Sequence, residues 1–164
     1  MGGTMSARLA CDLFDRIAAI APVATINPWY VLGDICEPER PVPILQFNGT
    51  ADVMIPWGGD WRPPVPEQIE AWADLYGCSD ETEVVHQKGD VICIEYQDCP
   101  NDATVKHCIV EGGGHNWPGA VDLYEMDPIF YWWAAPYTTQ DIDASREIWK
   151  FFAEHAMSAG EDDD

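Results

Sequence analysis

Two short apolar runs constrain this chain more than any other feature. "RIAAIAPVA", Arg16 to Ala24, and "VPILQFNG", Val42 to Gly49, show little alternation of apolar and polar residues. A strand with water on one face alternates, whereas one covered on both faces reads as a nearly continuous apolar stretch. The first run is stopped by proline and the second ends in the turn-forming pair Asn48-Gly49. Both therefore predict buried strands, and buried strands need covering layers.

Helices supply those layers. Residues 4–13, "TMSARLACDL", carry Met5, Leu9 and Leu13 on one stripe. "VPEQIEAWADLYGC", Val65 to Cys78, gathers Ile69, Trp72, Ala73 and Tyr76 on one face, with Gly77 as a C-terminal stop. "DIDASREIWKFFAEHAM" reads as a closing helix with Ile142, Ile148, Trp149, Phe152 and Ala156 on its apolar side. Residues 83–87 and 91–97 alternate enough to be strands, and "TVKHCIVEGG", Thr104 to Gly113, is a further one. Residues 25–42 and the segment "TADVMIPWGGDWRPP" read as loops. Strands separated by helices predict the α/β class with a mostly parallel sheet. The chain has 164 residues and no dividing linker, so residues 1–160 are expected to form one domain, followed by the acidic tail 161–164.

Charge excludes several classes of partner. Lys plus Arg number 8 against 29 Asp plus Glu, a net charge of −21. Such a surface repels nucleic acid and anionic membranes. No run reaches the roughly 18 apolar residues that span a bilayer, and Met1-Gly2-Gly3-Thr4 lacks the basic start of a signal peptide. The 6 cysteines form no Cys-x-x-Cys pair and no paired histidines follow them, so metal ligation is disfavoured. An even number without metal spacing points instead to disulfides and an oxidising compartment.

Ligands of open α/β sheets bind at the carboxyl ends of the strands. Asp52 follows the strand ending at Asn48-Gly49, and His115 lies in "EGGGHNWPG", just past the strand ending near Glu111. A carboxylate and an imidazole on neighbouring strand-end loops can act as orienting acid and general base. Their hydrogen bond is expected at about 2.6–3.2 Å. His86, His107 and His155 are scattered and expected at the surface. Trp57 and Trp117 fit either an acyl pocket beside the loops or the core, and Trp132 and Trp133 a core or interface plug.

Four stretches together resemble the polyhydroxybutyrate-depolymerase and feruloyl-esterase-like branch of the α/β-hydrolases. "GGTMSARLACDLFDRIAAIAPVA" is similar to the stretch after that family's nucleophile elbow, and "PVPILQFNGTADVMIPWGG" to its acid loop. "GGGHNWPG" is similar to its histidine loop and "DIDASREIWKFF" to its last helix. The resemblance implies a partial, C-terminal half of the α/β-hydrolase fold, with Asp52 as triad acid, His115 as base and no cofactor. Two departures stand out. Asn48 occupies the position where the family has His in "HGTAD", and the elbow serine would immediately precede Met1. The amide of Met1, next after that serine, would be an oxyanion donor. Ser6 and Thr4 are the nearest hydroxyls, although a helix over 4–13 places Ser6 about two turns along.

The resemblance also implies disulfides between Cys78 and Cys99 and between Cys93 and Cys108, leaving Cys11 with Cys36. If residues 91–97 and 104–110 form a hairpin, Cys93 and Cys108 lie across from one another. It places the parent family outside the cell or in the periplasm. Three functions follow as expectations: a carboxylic-ester hydrolase acting on hydroxycinnamoyl or hydroxyacyl esters, small or polymeric; an inactive half-fold; or one piece of a two-chain esterase. The run Ile17 to Ala24 would lack a sheet neighbour, which predicts a homodimer that covers the edge.

Overall fold

A computed structural model of the chain describes residues 1–25, 27, 36–134 and 136–157. The acidic tail 161–164 lies outside the described residues, as do 26 and 28–35 of the expected loop. In chain order the elements are α1 (Gly2–Asp12), β1 (Ile44–Gly49), α2 (Val65–Tyr76), β2 (Thr82–Lys88), β3 (Val91–Tyr96), β4 (Val105–Val110), α3 (Leu123–Met126) and α4 (Ala144–Glu154). A short 3-10 turn spans Trp132–Ala134.

The class is α/β, and the sheet order is β1-β4-β3-β2. The mostly parallel sheet expected from the sequence is not what the named strands form. β1 and β4 pair in parallel, from Ile44 opposite Val105 to Gly49 opposite Val110. The β4–β3 and β3–β2 pairs are antiparallel. Connection length decides this: only Gly89 and Asp90 join β2 to β3, and a two-residue link makes a hairpin.

The run Arg16 to Ala24 also departs from a full strand. It runs beside β1 through two isolated parallel bridges, Ile20 to Ile44 and Val23 to Phe47. Pro22 accounts for the interruption. Its carbonyl accepts from Phe47 N at 3.1 Å, but proline has no N–H to complete the ladder between Ile20 and Ala24.

β1 is buried along its whole length. On one face Ile44 joins Val105 and the inner sides of α1 and α2, including Ala7, Ala10, Ile69, Trp72 and Tyr76. The four α2 residues expected on one face are all buried there, and Gly77 ends the helix in the left-handed region at φ 72°. On the other face Leu45 and Phe47 pack with Cys108, Val110, Ile148 and Phe151. The apolar side of α4 differs from expectation. Ala144, Ile148 and Phe151 face inward at i, i+4 and i+7, which turns Trp149 out to 75% exposure and Phe152 to 37%.

Three disulfides join Cys11 to Cys36, Cys78 to Cys99 and Cys93 to Cys108. Cys93 and Cys108 are direct register partners on β3 and β4. The second bridge ties the end of α2 to the connection leading into β4.

Candidate active site

The carboxyl ends of β1 and β4 lie side by side, so the loops that leave them start together. Backbone hydrogen bonds stitch the loops at once. Thr50 N donates to Val110 O at 2.9 Å and Ala51 N to Gly113 O at 3.0 Å. The Thr50 hydroxyl accepts from Gly112 N at 2.7 Å. The approach is so close that a Cβ on Gly49 would sit 2.1 Å from the Gly113 carbonyl oxygen. Gly49 therefore needs to lack a side chain for the histidine loop to come this close.

This stitching delivers Asp52 to His115. Asp52 Oδ2 lies 2.8 Å from His115 Nδ1, within the expected range. Asp52 is 3% exposed, and its Oδ1 accepts from the amides of Met54 and Ile55 at 2.7 and 2.8 Å. Both carboxylate oxygens are thus committed, and the carboxylate is rigidly aimed. A carboxylate only accepts, so His115 Nδ1 carries a proton and Nε2 is left to exchange one. The imidazole keeps partial access to solvent, with 29% of its side chain exposed.

The histidine loop is anchored from the opposite side. The Asn116 amide donates to the carbonyls of Ala134 and Tyr137 at 2.6 and 2.9 Å. Those bonds lay the 131–134 segment against the site. Trp133 meets the His115 ring edge-on with centroids 6.0 Å apart, Tyr131 meets Trp133 at 5.9 Å, and Phe130 meets Tyr131 at 4.8 Å. Trp133 is half-buried there and Trp132 is 59% exposed, so neither is a core plug.

Next to His115 opens a cleft of about 450 Å³, lined by Met1–Gly3, Ser6, Ala21–Ala24 and His115–Trp117. Met1, Ser6 and Trp117 of the expected site residues are therefore brought together with His115. The Ser6 hydroxyl donates to Gly2 O at 3.1 Å. Thr4 is turned elsewhere: its hydroxyl lies 2.9 Å from that of Thr25. Trp117 is 45% exposed and donates through Nε1 to Ser145 Oγ at 3.0 Å.

Trp57 is not on that cleft. It stacks on His107, with centroids 5.8 Å apart and an interplanar angle of 13°. His107 itself corrects the expectation of a surface histidine, since it is only 2% exposed. It lies on β4 opposite Gln46, and its Nε2 is 3.2 Å from Asn48 Oδ1. Burial pushes its pKa down to about 3, so the ring is neutral at ordinary pH. The signal for this polar cluster was present in "ILQFNG": Gln46 and Asn48 alternate within an otherwise apolar strand and share a face. Trp133 and Asn116 carried no comparable signal, because long-range packing sets their roles.

The fold and site together define an α/β protein with a carboxylate–imidazole pair at the carboxyl ends of two parallel strands. No family model matches the chain. Its sequence is similar to feruloyl esterase B of Piromyces equi, with 34% identity over 126 residues, covering 70% of this chain and 23% of that protein. It is also similar to the putative esterase NocK of Nocardia uniformis subsp. tsuyamanensis, with 29% identity over 146 residues, covering 75% of this chain and 42% of that protein. The chain thus spans less than half the length of either curated relative. Both relatives carry esterase names, and the three disulfides are consistent with an extracellular, oxidising setting.

Proposed function

We propose that this chain is the acid-and-base portion of a carboxylic ester hydrolase of α/β-hydrolase type. The observation that carries the reading is the 2.8 Å contact between Asp52 and His115 beside an open cleft. His115 Nε2 takes the proton of an attacking hydroxyl as it adds to the ester carbonyl. Asp52 holds the ring and stabilises the imidazolium that forms. The same proton then passes to the leaving alcohol, and water repeats the cycle on the acyl intermediate.

The attacking hydroxyl belongs in the cleft that Met1–Gly3 and His115 share. A serine adjoining Met1, from an upstream segment or a second chain, would enter there, with the Met1 amide as an oxyanion donor. Among the described residues, Ser6 is the hydroxyl that lines the cleft. The substrate class is a hydroxycinnamoyl or hydroxyacyl ester. The rings of Trp133, Tyr131 and Phe130 running outward from His115 favour an aromatic acyl group. A homodimer accompanies this reading: no backbone hydrogen bond engages the amides of Ala21 and Val23 among the described residues, which leaves an edge for a second copy.

Turnover of short p-nitrophenyl esters by the purified chain tests the proposal. His115→Ala is expected to lower the rate to background, and Ser6→Ala to separate an internal nucleophile from direct water attack. Equal rates for the wild type and His115→Ala would leave the second reading, a ligand-binding domain without catalysis. That reading is favoured by the commitment of the Ser6 hydroxyl to Gly2.

A further inference from the structure

We propose that His107 is a positioning residue for the Asp52 loop, its ring serving as the buried platform on which Trp57 seats that loop. The inference rests on the pairing of Asp52 with His115 and extends it to residues that touch neither substrate nor imidazole.

The geometry starts in the sheet. Gln46 and Asn48 face the same side of β1, and His107 lies beside them on β4. The Asn48 carboxamide oxygen accepts from Gln46 Nε2 at 2.8 Å and lies 3.2 Å from His107 Nε2. An amide oxygen only accepts, so Nε2 carries the ring proton, and this bond fixes the plane of the imidazole. Trp57 then lies nearly parallel to that plane at 13°. The 5.8 Å centroid distance is an offset stack, a preferred geometry for paired flat rings.

Trp57 sits between Asp52 and the start of α2. Its carbonyl accepts from Val65 N at 3.0 Å, so the ring and backbone of one residue join the loop to both β4 and α2. Gln68 on α2 adds a further tie by donating to Pro63 O at 2.8 Å. The loop carrying Asp52 is therefore held at two ends: by the Gly49–Gly113 approach where it leaves β1, and by His107 and α2 where it returns. Among the described residues, Gln46 Oε1 and Asn48 Nδ2 are buried without a hydrogen-bond partner. Such a cluster is costly in a packed sheet, which fits a role in holding the loop.

The test reads the His115 tautomer by long-range proton–nitrogen NMR. The wild type is expected to show the Nδ1–H form, and Asp52→Asn to lose it. Trp57→Ala and His107→Gln are expected to lose it as well, because both remove the stack although glutamine can still donate to Asn48. His107→Phe restores a ring and is expected to keep it. If Trp57→Ala and His107→Gln both retain the signature, the platform role is wrong. If His107 variants fail to fold, Trp57→Ala decides alone, since it removes the stack from the half-exposed side. If Asp52→Asn leaves the wild-type signal unchanged, the Asp52–His115 reading fails first and the positioning role falls with it.

Discussion

Gly49→Ala is the smallest change that should separate the two loops of the site. The added methyl would lie 2.1 Å from Gly113 O, 2.5 Å from Gly113 C and 2.8 Å from Gly114 O, all backbone atoms. Reaching ordinary contact at 3.4 Å from the nearest of them requires a retreat of at least about 1.3 Å. The bond from Ala51 N to Gly113 O, 3.0 Å long, crosses the same gap and cannot survive that movement. Overpacking costs about 1–3 kcal/mol, and a lost hydrogen bond adds about 0.5–1.5 kcal/mol. The expected destabilisation is therefore about 1.5–4.5 kcal/mol in urea unfolding. The contact between Asp52 and His115 has no slack for such a displacement, and a misplacement of about 1 Å can cost about 100-fold in rate. Two assays read the same cause: the denaturation midpoint and the His115 Nδ1–H signal. A Gly49→Ala protein within about 0.5 kcal/mol of wild type with an intact signal would refute the idea that backbone contact sets the site.

Other perturbations give separate checks. Replacing Cys93 and Cys108 by serine opens the bridge across β3 and β4 and should cost about 2–5 kcal/mol, while thiol titration of the unfolded, unreduced wild type should find no free cysteine. Trp72→Ala empties a fully buried site on α2 and should cost about 3–5 kcal/mol in the same unfolding assay. His107 gives an acid dependence whose sign is fixed. Its folded pKa, about 3, lies below the ordinary 6.5, so the unfolded chain binds the extra proton. Its share of stability is full above pH 6.5 and falls by about 1.4 kcal/mol per pH unit down to about pH 3. His107→Phe should remove that slope between pH 6.5 and 5, as read by paired urea melts. Light scattering at micromolar concentration should give a mass near twice 18.3 kDa, and a monomer would end the dimer proposal.

Much of this architecture was legible because local pattern and tertiary role agree. The α2 face, its Gly77 stop and the uninterrupted burial of β1 follow from residue spacing alone. Asp52 and His115 were findable because strand-end loops of neighbouring strands converge. The misreadings share a cause too. Trp149 and Ile148 look equally apolar, yet only the position of the sheet decides which side of α4 turns inward. His107 looks like any scattered histidine until the β1–β4 register places it beside Asn48. Trp57, left open between acyl pocket and core, stacks on the buried His107, and Trp133, expected as a core or interface plug, meets His115, because each belongs to a long loop whose course is set by distant partners.

Those distant partners belong to two different halves of the core. Asp52 is carried by a loop tied to the face that α1 and α2 cover, through Trp57 on His107 and Gln68 on Pro63. His115 is carried by a loop tied toward the face that α4 covers. Ala144 N donates to Pro118 O at 3.0 Å, and Gly119 N to Thr139 O at 2.9 Å. Thr139 and Tyr137 both donate through their hydroxyls to the Asp90 carboxylate in the β2–β3 turn. The carboxylate thus comes from one half and the imidazole from the other. Alignment comes from the β1–β4 pairing and the glycine contact above it, where the two halves meet. The Asp52–His115 hydrogen bond is therefore a sensitive gauge of how the two faces of the sheet sit against one another. A cavity opened on either face should weaken it even when the chain stays folded.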